Sequence, residues 1–423
     1  MRRGRCGEAA HKKPDYRVRE RSDGPGKAAS MSGEYRQPAS EIEWTTFQPY
    51  PMWERARDTD QVIAFDGSGF DPRTSFHVTR YADAERVLRD WETFSSSING
   101  EVIGQYMGDL ILAMSGKEHR QYRNLVAHAF RASVLDRWDA TLVRPVIETL
   151  LDAIAPLGRA DLVATATSQY PVQVICGIVG IPLVDHAQFA HWAEEINMGP
   201  LHHERGMAAS HGMRAYLEPL VEARRAEPTG DLLSELVHAE VDGERLTEEK
   251  IYGFLRLLLP AGAETTFRVM GNALYALLTH PEDLARVSAD PDRWLPEVIE
   301  ETLRWETSVT MVSRVATVAT EIAGCPVAAG SPVNVLTGSS DRDADRFDDA
   351  DEWKLGRPTQ HHLAFGTGPH QCLGMHLARL ELRAGLSAIL RRLPNLRLDP
   401  DAPSPVIQGY AFRGPDALPV LFG

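Results

Sequence analysis

The sequence predicts one large, mainly α-helical domain with a minor β portion, and three observations carry that expectation. From Lys117 to about Leu393 the apolar residues recur mostly at three- and four-residue intervals, the spacing of a helix face turned to a core. Short strand-like runs, SRVATVAT and SPVNVLTG, come late in the chain. No repeat of fixed period and no convincing linker divides the body, so residues 31–423 are expected to form a single unit.

The elements follow in order. Residues 1–30 are basic and nearly lack large apolar side chains, so they cannot bury enough surface to fold alone and are expected to be a disordered extension before Met31. They also lack the apolar segment of a secretory signal. A Pro-rich entry, FQPYPMWERAR, leads to SFHVTRY, which alternates like a strand, and then to the helical DAERVLRDW. VRPVIETLLDAIAPL, LLSELVHAEV, KIYGFLRLLLPAG, NALYALLTH and PEVIEETLRW read as helices, separated by the turn signals GIPLVD, AEPTGD, EVDGERLT and HPED. A last strong helical period, LGMHLARLELRAGLSAILRRL, follows Cys372.

Composition narrows the function. The 423 residues include 45 Lys and Arg against 59 Asp and Glu, a net charge of −14 that repels phosphate backbones and argues against nucleic acid as a partner. No stretch approaches the unbroken apolar length of a membrane span; IYGFLRLLLPAGA is short and interrupted by Arg256 and Pro260. The sparse cysteines, Cys6, Cys176, Cys325 and Cys372, show no metal-type spacing and suit a reducing cytoplasm. The 15 histidines include pairs at His202 and His361, but no H-E-x-x-H or C-x-x-C pattern accompanies them, so a zinc site is not expected.

FGTGPHQCLG, Phe365 to Gly374, sets a lone cysteine among three glycines just ahead of a helix. Glycines at 366, 368 and 374 permit close approaches that a Cβ would block, so the loop can wrap a flat object. The nearby helix start offers free N–H groups to a negative sulfur. In LLLPAGAETT, Leu257 to Thr266, Pro260 has no N–H for the carbonyl of Arg256, a setting that favours a kink. Ala261 and Gly262 present almost no side chain, and Thr265 is spaced to bond back to the carbonyl of Ala261. EETLRW places Glu301 and Arg304 on one helical face, and MSGKEHRQYRNLVAHAF places His119 and Arg123 one turn apart, able to grip one carboxylate.

FGTGPHQCLG matches in full the haem-binding signature of the cytochrome P450s, F-G-x-G-x-H-x-C-x-G, and from about Phe76 to the closing FRGPDALPVLF the chain resembles the bacterial members of that family. The resemblance implies haem b lying between a long distal helix and the helix that follows the cysteine loop, with Cys372 as thiolate ligand of the iron. By family position Phe365, Gly374, Ala261 and Gly262 border the haem, and His119, Arg123, Arg314 and His370 hold its propionates. Glu264 and Thr265 resemble the acid–alcohol pair that delivers protons, and Glu301, Arg304 and Arg357 resemble the buried structural set. Glu352 stands where many relatives have another arginine, and Ser308 where a proline is common.

The implied activity is that of a haem-thiolate monooxygenase taking O2, a lipophilic substrate, and electrons from an external ferredoxin served by an NAD(P)H-dependent reductase. Arg120 and Arg379, near the cysteine loop, are expected to guide that encounter. The pocket expected by family position comprises Leu257, Pro260, Ala261, Val309, Thr310, Ala411 and Phe412, with further walls at residues 97–112 and 196–207. Two alternatives are a peroxide-driven enzyme of the same fold, which commonly lacks the acid–alcohol pair, and a haem-carrying binding or sensor protein without turnover.

Overall fold

The computed structural model describes residues 15–16, 31–32, 48–59, 62–65, 73–241, 243–358 and 360–423. The expected extension 1–30 therefore lies, apart from its residues 15 and 16, outside the described residues.

The helices are α1 (Tyr50–Thr59), α2 (Tyr81–Arg89), α3 (Ile98–Met107), α4 (Gly116–Ala127), α5 (Ala132–Trp138), α6 (Arg144–Ile154), α7 (Gln169–Val179) and α8 (His186–Asn197). They continue as α9 (His203–Ala226), α10 (Leu232–His238), α11 (Glu248–Thr279), α12 (Pro281–Ala289), α13 (Pro291–Trp305), α14 (Thr337–Ser340) and α15 (Met375–Arg392). The two helical stretches read at KIYGFLRLLLPAG and NALYALLTH are halves of the single α11, 32 residues long, which runs through Pro260 without ending. Its start is set by Thr247, whose hydroxyl accepts the N–H of Lys250, and by Glu248 and Glu249 in the first turn, where carboxylates oppose the helix dipole.

α11 packs against α3, α7, α8, α9, α13 and α15, so it forms the axis of the larger hydrophobic core. A second core, centred on Val78, Val87, Phe94, Val333 and Val335, lies beneath a five-stranded sheet. The sheet runs in the order Val62–Phe65, Ser75–Val78, Pro332–Val335, Val312–Ala316, Phe94–Ser95, and only the pair Ser75–Val78 with Pro332–Val335 is parallel. The strands expected at SFHVTRY, SRVATVAT and SPVNVLTG are thus three neighbours of one sheet.

Glu306, at the C-terminal end of α13 and 3% exposed, ties distant segments together. Its carboxylate accepts from Tyr50 Oη at 2.8 Å, Arg413 Nε at 2.7 Å and Arg342 Nη2 at 3.2 Å. Cys176 and Cys372 are free thiols.

Candidate active site

The cysteine loop is shaped by its glycines and by one backbone bond. Gly368 has φ +74, and a Cβ there would come 2.8 Å from the carbonyl oxygen of Leu88, so only glycine lets the loop pass against α2. A Cβ on Gly366 or Gly374 would meet nothing within 4 Å, leaving a bare backbone wall beside the cysteine. The N–H of Cys372 donates to the carbonyl of Phe365 at 2.9 Å, and α15 begins three residues later. The Cys372 side chain is exposed yet lies deep among protein atoms, so the surface it presents faces inward. Burial pushes its thiol pKa up, opposed by the Gly374 N–H and the positive charges of Arg123 and Arg379, all of which favour a thiolate.

Four of the side chains expected to hold acidic groups converge beside this loop. The rings of His119 and His370 lie 4.0 Å apart. His370 is pushed down to about 3, by burial first and then by the charges of His119, Arg314 and Arg123, while its bond to the Met114 backbone works the other way. His119 is 2% exposed and its Nε2 has no hydrogen-bond partner among the described residues. Arg314, 4% exposed in the strand Val312–Ala316, donates only to the neighbouring Ser313 carbonyl, at 2.8 Å, among the described residues. Arg123 reaches the Gln371 carbonyl at 2.6 Å, and neither arginine forms an ion pair among the described residues.

A buried guanidinium without an anion is costly, and an orphaned ring nitrogen adds to that cost. A flat group bringing two carboxylates to this corner satisfies all four side chains, and a bare backbone wall beside a lone inward-facing sulfur accepts its face. The donor set therefore fits a haem with its propionates here.

On α11, Ala261 is exposed while Leu259, Pro260 and Ala263 around it are buried. Thr265 Oγ1 donates to the carbonyl of Ala261 at 2.7 Å. Glu264 is held on two sides: Arg268 donates to Oε1 at 3.0 and 3.2 Å, and Asn197, at the end of α8, donates to Oε2 at 2.6 Å. A Cβ on Gly262 would lie 3.1 Å from Cγ1 of Ile175, so its missing side chain serves the packing of α7 on α11.

The remaining expected residues fall into two groups. Val309 and Phe412 form an antiparallel bridge, and Thr310 donates to the Tyr410 carbonyl, which brings Val309, Thr310, Ala411 and Phe412 to one place. Leu257 is half-buried one turn before the exposed Ala261. Glu301 accepts from Arg304 at 2.7 and 2.9 Å and from Arg357 Nε at 3.0 Å. Arg304 spends its other three donors on the carbonyls of Asp341, Ala350 and Glu352, so the backbone at Glu352 contributes although its side chain is not an arginine.

Arg379, expected to guide a partner's approach, pairs with Glu300 at 2.7 and 2.9 Å and lies over the Phe365 ring at 4.6 Å, an arrangement that steadies the loop. Sequence reasoning missed Arg268, Asn197 and Glu300. The i, i+4 spacing of Glu264 and Arg268 was a readable signal; nothing local marks Asn197.

The comparisons agree with this arrangement. A family model described as Cytochrome P450 matches residues 186–407. The chain is 35% identical over 354 residues to mycinamicin IV hydroxylase/epoxidase of Micromonospora griseorubida, covering 82% of this chain and 89% of that protein. It is 34% identical over 380 residues to the steroid C26-monooxygenase of Mycolicibacterium smegmatis, covering 88% and 91%. The solved structure of the bacillaene polyketide synthase cytochrome P450 PksS of Bacillus subtilis 168 superposes with a TM-score of 0.81 at 29% identity, covering 89% of this chain and 97% of that one. With the signature loop, the helical architecture and these relatives in agreement, the chain belongs to the cytochrome P450 family, the haem-thiolate oxidoreductases of the monooxygenase class.

Proposed function

We propose that this enzyme inserts one oxygen atom from O2 into a lipophilic small molecule, by hydroxylation or epoxidation, in the cytoplasm and within one domain spanning residues 31–423. Electrons come from an external ferredoxin and its NAD(P)H-dependent reductase. The observation that carries the reading is the convergence of His119, Arg123, Arg314 and His370, unpaired with any acid among the described residues, beside the inward-facing sulfur of Cys372.

Haem, when bound, would supply the activation of dioxygen, and a thiolate at Cys372 would lend it electron density. The protein's part is orientation and proton supply. Cys372 would hold the iron, and the four donors would hold the propionates. The Thr265 hydroxyl donates a hydrogen bond to the Ala261 carbonyl and so turns its lone pairs outward as acceptors. Glu264, beside it, is the residue positioned to pass a proton from outside to Thr265 Oγ1 once its carboxylate leaves Arg268 or Asn197. A peroxide-driven enzyme has no need of such a relay. Leu257, Pro260, Val309, Thr310, Ala411 and Phe412 supply a largely apolar wall, consistent with a lipophilic substrate.

The test is the spectrum of the reduced, haem-loaded protein under carbon monoxide. The wild type is expected to give the thiolate-type carbonyl band and Cys372→Ala to lose it; an unchanged spectrum in that variant rejects the ligand. Consumption of NADPH through a ferredoxin system, with substrate oxidised, separates an enzyme with turnover from a binding protein.

A further inference from the structure

The cysteine loop is tied to α13 by an acid that the buried set around Glu301 does not use. Glu300 meets Arg379 of α15 side-on: Oε1 accepts from Nε at 2.7 Å and Oε2 from Nη2 at 2.9 Å. Two parallel bonds of this kind fix a guanidinium in orientation as well as in distance. His362 closes the other side. It is 7% exposed, its Nδ1 accepts the Ala364 N–H at 3.3 Å, and the proton thereby left on Nε2 faces Glu300 Oε2 at 3.2 Å. Burial works to raise the Glu300 carboxyl, but the bonds and charges of Arg379 and His362 outweigh it and hold the group down at about 2.

Both partners of Glu300 touch Phe365. The Arg379 guanidinium lies 4.6 Å over its ring, and the His362 ring lies 6.1 Å from it at an angle of 40°. The carbonyl of the same Phe365 accepts the Cys372 N–H at 2.9 Å. One carboxylate therefore reaches the sulfur by two routes. Through contacts it fixes the residue to which the cysteine amide is bonded. Through space it offsets the positive charge of Arg379, which acts on Cys372 and favours its thiolate. The same segment keeps an independent anchor in Asp341, which accepts the Leu363 N–H at 2.7 Å, so the loop does not depend on Glu300 for its place in the fold.

We propose that Glu300 is a positioning residue for the axial sulfur: by holding Arg379 and offsetting its charge it keeps Cys372 electron-rich, and so keeps the haem iron harder to reduce. This rests on the reading of Cys372 as the ligand of the iron. A sulfur facing an uncompensated cation donates less to a metal, and charge and bonding around the axial ligand are levers by which a protein sets the potential. The step affected is transfer of one electron from the external donor, in which no bond forms or breaks.

Reduction potentials of the haem-loaded wild type, Glu300→Gln, Arg379→Gln and the variant carrying both are measured by spectroelectrochemistry, with the C–O stretching frequency of each reduced carbonyl complex measured by infrared spectroscopy. Glu300→Gln keeps an acceptor for Arg379 and is expected to raise the potential by up to about 59 mV, about tenfold in the one-electron equilibrium, and to raise the C–O stretch as donation to the iron weakens. Arg379→Gln is expected to lower both, and the double variant to return towards the wild type, a reversal that loss of structure does not produce. Glu300→Asp keeps the charge and is expected to stay near the wild type. An unmoved potential and stretch in Glu300→Gln overturn the proposal, as does a double variant that departs further than either single one. If Glu300→Gln does not retain haem, Arg379→Gln decides by the sign of its shift. A wild type without the thiolate-type carbonyl band rejects Cys372 as the ligand and the proposal with it, whereas a wild type that has the band beside an unmoved Glu300→Gln rejects the proposal alone.

Discussion

Thr265 Oγ1 lies 2.7 Å from the carbonyl oxygen of Ala261, four residues back on α11. The bond orients the hydroxyl beside the exposed alanine. Thr265→Ala removes the acceptor that the proposed relay offers, so electron use is expected to continue while oxygenated product falls and hydrogen peroxide appears. Product formed per NADPH consumed is the measurement; full coupling in the variant defeats the relay.

Glu264→Gln keeps the hydrogen-bonding shape but cannot carry a proton as an acid. Turnover is expected to fall by roughly 10²-fold, the lower part of the range for a positioned general acid, with substrate-induced spectral binding unchanged. Kinetic constants and a solvent isotope effect measured on both proteins check this, and equal turnover removes Glu264 from the route.

Arg304 is 3% exposed and Glu301 6%, and every donor of the guanidinium is occupied. Arg304→Ala leaves a buried carboxylate and three carbonyls poorly satisfied, so a loss of about 3–5 kcal/mol is expected on urea unfolding. Arg357→Ala leaves Arg304 in place against Glu301 and is expected to cost less.

Asp341 is buried, and its carboxyl is raised from 3.8 to about 7 by desolvation, against the opposing charges of His362 and Arg304 and the N–H of Leu363. Between those values the native state holds a proton that the unfolded chain has released, so this group's contribution to stability falls as pH rises through that window. Asp341→Asn keeps an acceptor for Leu363 and removes the titration. The variant is expected to be more stable at pH 8, on the order of 1–3 kcal/mol, with the gap closing towards pH 4; thermal unfolding across that range measures it.

What was legible in the sequence was whatever local spacing encodes. His119 with Arg123, Glu301 with Arg304, and Thr265 with Ala261 are one helical turn apart, and the loop around Cys372 is contiguous, so each could be read from the chain alone. Arg357 came from family position, and it does reach Glu301. The unread part is long-range. Asn197 meets Glu264 across 67 residues, and Tyr50 meets Glu306 across 256, separations that no periodicity records. The close fit of Gly262 to Ile175 of α7 is of the same kind, set by packing alone. The pairing of Arg379 with Glu300 across 79 residues is equally unrecorded by local spacing.

The junction at Glu306 also bears on how the enzyme is made. Tyr50 and Glu306 leave the ribosome long before Arg413, whose guanidinium is the closest cation on that carboxylate. A nascent chain that has not yet released its carboxyl-terminal segment carries an acid facing an unfinished partner set, and the neighbouring turn that bears Ala411 and Phe412 has no anchor. Completion of this junction is thereby postponed until residue 413 is made, after the cysteine loop has emerged.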